Sequence, residues 1–488
     1  MTGGITRRQS LQIGAVGAAG IVVGGIGLSQ TGPPWQTRSV GNSGDSGLEL
    51  VQPEVVRSEN GVLRTELVLE ETEIELAGTM ARMLTYNGTV PGPTWHVRPG
   101  DRIEVALVNN LDAATNLHTH GLAVSPEGNS DNPFVSIGAG ETFEYLFELP
   151  EDHPTGLFWY HPHLHGSVAD QIFGGLYGAI LIEDDEEIPV ARDRILIISD
   201  TTLTSDGGVA PLSNGQVMMG REGDLLLVNG QSQPQISARP GERERWRVVN
   251  ACTSRYLRLA VPETEVQLLG LDAGRETTPR QVEDVVLTPG NRADLLVTMK
   301  TQTSELVTLG YDRGSGMMGM MGDDELSGPA TLTTVVVDGD ESPTPGQIPD
   351  RLPAPDLRDR EPDNRREIVM VTGMGGMGGG MAFGFDNKLF DGERTDQSVT
   401  AGTVEEWTIQ NPTMMDHPFH LHVWPMQVTE ENGTAVEDPT WRDVVNVPNH
   451  GRTKVLVDFA RHPGRSVYHC HILDHEDAGM MGVVASRS

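Results

Sequence analysis

RPGDRIEVALVNN at 98–110, RPGERERWRVVN at 239–250 and TAGTVEEWTIQN at 400–411 are three versions of one segment: a Gly turn, an alternating strand and a closing Asn. Apolar residues recur at every second position, the period that gathers them on one face of a strand. About 40 to 50 residues further on, each is followed by a second turn and strand: GAGETFEYLFEL at 138–149, TPGNRADLLVTM at 288–299 and NHGRTKVLVDFA at 449–460. Each is preceded by a tight turn: YNGTVPGP at 86–93, VNGQSQPQ at 228–235 and, more loosely, DNKLFDG at 386–392. Order and spacing recur together, which predicts an all-β chain of three Greek-key β-sandwiches. The 58 Gly and 31 Pro among 488 residues suit short strands joined by many turns better than long helices. The expected units are 51–190, 191–345 and 368–488. EDDEEIPVARD at 183–193 separates the first two, and a Pro/Asp-rich connection at 346–367 precedes the third.

Residues 1–28 contain Thr6-Arg7-Arg8-Gln9-Ser10-Leu11 followed by a Gly-rich, weakly apolar run, a pattern that resembles a twin-arginine export signal. The run from Ile13 to Leu28 is short for a spanning helix, so no stable membrane span is expected once the signal is removed, and a secreted or cell-envelope protein is. Residues 29–50, rich in Ser, Gly and Pro, read as a flexible linker.

The 69 acidic residues against 35 basic ones give a net charge of −34, which excludes nucleic acid as a partner. Such self-repulsion is best tolerated where salt screens it, so a halophilic source fits, as does an ordinary acidic secreted protein. Asn87-Gly88-Thr89 and Asn432-Gly433-Thr434 match glycosylation acceptors.

All fifteen histidines lie in the first and third units. Four clusters stand out: HTHG at 118–121, WYHPHLHG at 159–166, HPFHLH at 417–422 and HCHILDHEDAGMM at 469–481. Each contains His-x-His, and residues i and i+2 of a strand share a face, so each pair can present two imidazoles to one metal centre. Cys470 sits between His469 and His471. Its thiolate therefore points to one side of the strand and both imidazoles to the other. With His417, His475 and a weak thioether from Met480, Cys470 completes the His₂Cys-plus-Met set of a blue copper centre. Cys252, the only other cysteine, reads as a small apolar core residue.

On these four clusters and the YNGTVPGP opening, the chain resembles the multicopper oxidase family over nearly its whole length after the linker. The resemblance implies cupredoxin-like domains and four coppers. It assigns type 1 copper to His417, Cys470, His475 and Met480. Type 2 copper falls to His118 and His420, and the type 3 pair to His120, His161, His163, His422, His469 and His471. It further implies one-electron oxidation of a donor coupled to four-electron reduction of dioxygen to water, with Cys470 passing electrons on. Glu476 and Asp131 hold positions similar to acidic residues with proton roles in relatives. His165 is left as a packing residue, and His96, His153, His450 and His462 have no matching role. A copper-free envelope scaffold of the same fold is the alternative, and a two-domain copper nitrite reductase is disfavoured by the three units.

Methionines cluster outside any core pattern, at GSGMMGMMGDD (314–324) and GMGGMGGGMAFG (373–384). Thioether is a soft ligand for Cu(I). Met317, Met318, Met320, Met321, Met374, Met377 and Met381, with Met414, Met415 and Asp416 beside His417, resemble the cuprous-oxidase branch. Laccase-like oxidation of phenols or aromatic amines is the competing expectation, and methionine as mere filler of flexible loops is another.

Overall fold

The computed structural model describes residues 45–184, 186–300, 302–314, 328–349, 354–374 and 381–487. Six sheets form three two-sheet sandwiches. In the first, Arg102–Asn109 pairs with Val62–Leu76 and Thr142–Glu148 in one sheet. Gly156–His161 pairs with His118–His120 and Gly178–Ile182 in the other. The predicted alternation is visible residue by residue: Ile103, Val105 and Leu107 are fully buried, while the residues between them are only partly covered. The corresponding core strands of the other units are Arg243–Asn250 and Val404–Asn411, each paired with its own returning strand, Arg292–Thr298 and Gly451–Asp458. Each sandwich has its own apolar core, and a shared cluster including Trp159, Ile172, Ile197, Val249 and Leu473 fuses the units.

The repeat persists at atomic detail. The closing Asn of each core strand is buried and used in the same way. Asn109 Nδ2 donates to the carbonyls of Ala113 and Ile137 at 2.9 and 3.0 Å, and its Oδ1 accepts from Leu111 N. Asn250 donates to Arg255 and Leu287 carbonyls and accepts from Cys252 N; Asn411 donates to Met415 and Val447 and accepts from Thr413 N. Each Asn thus fastens the loop after its strand to the neighbouring strand, satisfying backbone groups that sheet pairing leaves open. The three tight turns also agree. Asn87-Gly88, Asn229-Gly230 and Asp386-Asn387 all have positive φ at both residues, the conformation that matches strand twist in a two-residue turn. The first side chain of each accepts from a backbone N–H on the adjoining strand, of Val68, Ile197 and Val369 respectively. Asn87 also donates through Nδ2 to Glu66 O, so its amide is engaged in the fold.

Two expected boundaries shift. Residues 45–50, read as linker, lie along the middle unit: Leu50 N donates to Gln235 O, and the Leu50 side chain is buried in that unit's core. The 346–367 connection ends early, because the strand Asn364–Met374 already pairs with Val404–Asn411 from Asn364 onward. Residues 1–44 lie outside the described residues. Among the described residues no helix is long and apolar enough to cross a membrane.

Candidate metal centre

Strand pairing brings the His-x-His motifs together. In the first unit His118 stands opposite His161, and in the third His420 stands opposite His469. The two faces meet ring on ring: His118 stacks on His422 at 3.7 Å between centroids, and His120 on His420 at 3.9 Å. Eight imidazoles, of His118, His120, His161, His163, His420, His422, His469 and His471, are thereby buried in one interface.

Hydrogen bonds fix which ring nitrogen turns inward. Nδ1 is taken by the Asp131 carboxylate for His118 (2.8 Å), by Pro162 O for His161 (2.8 Å), by Asp443 O for His420 (2.7 Å) and by Cys470 O for His469 (3.0 Å). Each of these rings therefore offers Nε2 as an unprotonated acceptor. The Nε2 atoms of His163, His422 and His469 form a triangle with sides of 3.1, 3.1 and 3.2 Å. Three inward nitrogens cannot satisfy one another, but one cation among them satisfies all three. His120 Nε2, His161 Nε2 and both His471 nitrogens are buried without a hydrogen-bond partner, an arrangement costly unless a metal takes them. His118, His120 and His161 form a further compact donor group.

Across the strand Gly464–Cys470 lies a second group. Cys470 Sγ is 3.5 Å from His417 Nδ1 and 3.9 Å from His475 Nδ1, and Met480 is fully buried in the same cluster. A metal ~2.0–2.3 Å from each of three donors in a plane holds them roughly 3.5–4 Å apart, so the group fits one ion. The outer nitrogens are covered: His417 Nε2 by Thr413 Oγ1 and His475 Nε2 by Met218 O, both at 3.0 Å. Phe383 stacks on His475 at 4.1 Å.

One helical turn, Leu473–Asp477, distributes its side chains among all these parts. Asp474 pairs with Arg221 of the middle unit at 2.7 Å, and His475 faces Cys470. Glu476, fully buried, lies 2.9 Å from His469 Nδ1 and 3.2 Å from His163 Nε2. Asp477 accepts from the backbone N–H groups of Gly166, Val168 and Ala169 in the first unit. Successive helical residues point about 100° apart, which lets four consecutive positions serve four directions.

Matches to three family descriptions, all of multicopper oxidases, cover residues 68–187, 193–306 and 360–488. A metallo-oxidase from Campylobacter jejuni is 30% identical with a TM-score of 0.80, over 93% of this chain and 98% of that one. The chain belongs to the multicopper oxidase family. A multicopper oxidase of Staphylococcus epidermidis is 27% identical over 91% of this chain and 93% of its own length. A laccase of Bacillus subtilis is 26% identical over 85% and 93%. This multicopper oxidase is an enzyme that needs an electron donor and dioxygen.

The remaining sequence candidates separate. Asp131 is buried against His118 and the Thr119 backbone, and burial pushes its carboxyl up to about 7. Asp416 does not sit free at the surface. It is buried, with Oδ1 accepting from Asn449 N and Oδ2 from Tyr311 Oη and Asn446 Nδ2, so it holds the loop before His417 and offers no open oxygen to a cation. Met415 is buried in the core and Met414 is half exposed. Met374 and Met381 are backbone register partners at the end of the hairpin. Met317, Met318, Met320, Met321 and Met377 lie outside the described residues. Cys252 is buried as an apolar core residue. His165 is exposed and lies tilted against the Phe390 ring, and His96, His153, His450 and His462 belong to none of the donor groups. Sequence reasoning missed Met218, Asp443 and Arg292. Met218 acts through its backbone carbonyl on His475 Nε2, a role that no side-chain signal marks, and Arg292 and Asp443 follow no spacing rule.

Burial holds His118, His120, His163, His417, His420, His422 and His471 well below their ordinary pKa, and His161 and His475 at about 3. The unfolded chain protonates these rings first, so their contribution is intact above about pH 6.5 and is lost as pH falls toward the folded values. Asp131 and Asp477, raised to about 7, act in the opposite sense and offset only part of this. Copper-free protein should therefore lose roughly 5 °C or more of Tm between about pH 7 and about pH 4.5 in a calorimetric series; a flat or rising Tm would contradict neutral burial of the imidazoles.

Proposed function

We propose that this multicopper oxidase holds four coppers and passes single electrons from a donor at the Cys470 group to dioxygen at the imidazole interface, with water as product. The observation that carries this reading is the segment His469-Cys470-His471, one strand end that serves both groups. In this reading His417, Cys470, His475 and Met480 hold type 1 copper. His118 and His420 hold type 2, and His120, His161, His163, His422, His469 and His471 hold the type 3 pair. Copper, when bound, supplies the one-electron chemistry and the place where dioxygen binds.

The protein's own groups do the rest. Cys470 and its two histidine neighbours join the groups through one stretch of backbone. The packed rings exclude bulk water, and the Nδ1 hydrogen bonds hold each imidazole neutral and oriented. Glu476 and Asp131, buried beside His469 and His118, are placed to hold a proton at a carboxylate oxygen and deliver it to reduced oxygen.

Cuprous ion is the favoured donor. Both outer type 1 ring nitrogens are capped by protein, and the helix Asn214–Met219 lies over His475, so a phenol has no bare ligand edge to grip. Thioethers of the Met-rich segments, with Met414 half exposed nearby, suit a small soft cation. The metallo-oxidase from Campylobacter jejuni agrees with this reading. Laccase-like oxidation of phenols or aromatic amines is the second reading, favoured by the likeness to the laccase of Bacillus subtilis. We also propose export by the twin-arginine route, supported by Arg7 and Arg8 and the Gly-rich, weakly apolar run Ile13 to Leu28 that follows them.

Copper-loaded protein should contain about four coppers and show a strong blue band. Replacing Met317, Met318, Met320 and Met321 with Ser should depress steady-state Cu(I) oxidation more than phenol oxidation, and equal losses would sink the cuprous preference. Glu476→Gln should slow oxygen consumption about 10²-fold or more while the blue band persists, whereas unchanged turnover would remove the proton role. Changing Arg7 and Arg8 together to Lys should retain the chain inside the cell on fractionation; undiminished export would exclude the twin-arginine route.

A further inference from the structure

We infer that Arg292 and Asp443 form a positioning clamp through which the middle unit, which supplies none of the imidazoles, orients His120 and His420. Arg292 opens the strand Arg292–Thr298 of the middle unit, and Asp443 stands just before the strand Val444–Val447 of the third. Their contact is bidentate, Nη1 to Oδ1 at 2.6 Å and Nη2 to Oδ2 at 2.7 Å, and both residues are buried. A planar fork with two parallel bonds fixes rotation as well as distance, which a single point charge does not.

The clamp touches two imidazoles by different atoms. Asp443 O accepts from His420 Nδ1 at 2.7 Å, which holds that ring's Nε2 toward His118 Nε2, 3.4 Å away. Asp443 Oδ1 and Arg292 Nη1 each lie 3.5 Å from His120 Nδ1. His120, His420 and Asp443 make a compact donor group by distance alone. Both carboxylate oxygens are already occupied by the guanidinium, so Asp443 acts through the imidazoles.

The guanidinium is itself held from every side. Its Nε donates to Leu157 O of the first unit at 3.0 Å, and it lies over the Phe158 ring. Asp272 accepts from Arg292 N and from Asn291 Nδ2, and Asn291 also donates to Val444 O, beside Asp443. Two glycines leave room for this. A Cβ on Gly121, at φ +87, would meet Asp443 Oδ2 at 2.5 Å and Arg292 Nη2 at 2.8 Å. A Cβ on Gly290, at φ +88, would meet the His471 ring at 2.8 Å. The middle unit's turn 288–292 is thus a wall of the imidazole site, and the glycine of HTHG is explained by the clamp it faces.

The inference rests on the copper reading above, so the test begins with wild-type copper content and its type 2 electron paramagnetic resonance signal; absence of both overturns the copper reading. Arg292→Gln and the charge-preserving Arg292→Lys are then compared with Arg194→Gln, which breaks the buried Arg194–Glu244 pair elsewhere in the same unit. Both Arg292 variants should keep the blue band, show altered type 2 hyperfine coupling or reduced type 2 occupancy, and lose about 10–100-fold in kcat with the donor KM unchanged. Arg194→Gln should lower Tm without moving the type 2 signal. A wild-type type 2 signal and occupancy in Arg292→Lys, the milder change should Arg292→Gln not fold, would overturn the clamp.

Discussion

Imidazoles packed ring on ring in a dry interface must stay unprotonated, and most of the architecture follows from that requirement. A buried imidazolium beside seven other rings would be repelled by any that were charged and solvated by nothing. The protein instead gives Nδ1 of His118, His161, His420 and His469 an acceptor and turns Nε2 inward. Each acceptor belongs to the same unit as its ring, the Asp131 carboxylate and Pro162 O in the first and Asp443 O and Cys470 O in the third, so each sandwich orients its own imidazoles and the two oriented faces then pack together. The helical turn Leu473–Asp477 ties this together by bonding to the first and middle units while facing both donor groups.

The middle unit is a structural partner to chemistry it does not carry. Through Asp474 it receives the helix that bears His475 and Glu476, through Met218 O it caps His475, and through Arg292 it reaches Asp443. Its buried ion pairs would add little net stability beside apolar packing, but breaking one leaves a buried charge unpaired, which makes each pair a strict geometric constraint.

Much of this was legible in the sequence because strands and turns are local codes. Alternation at 102–109 marked a half-buried strand, and Asn-Gly at 87–88 and 229–230 marked tight turns. His-x-His marked shared faces. What the sequence concealed is what depends on contacts between distant positions. Arg292 and Asp443 are 151 residues apart, with no spacing rule to join them, and each looked like one more charge in a chain full of them. Asp416 misled for a related reason. It stands in the loop just before the strand His417–Leu421, and there its carboxylate turns toward Tyr311 and Asn446, contacts that adjacency to His417 in the sequence does not reveal. Residues 45–50 looked like linker because an edge addition to a distant sheet needs backbone and one buried Leu more than periodicity.

The buried asparagines that close Arg102–Asn109, Arg243–Asn250 and Val404–Asn411 make identical joints in units with different duties. In the third unit the fastened loop runs through Thr413 to His417; in the middle unit the same joint carries Cys252 and no ligand. The frame is therefore indifferent to what its loops hold. The middle unit is a ready-made blank: a chassis already bearing the joint, into which a ligand-bearing loop could be transplanted to ask how much of a copper site is loop and how much is neighbourhood.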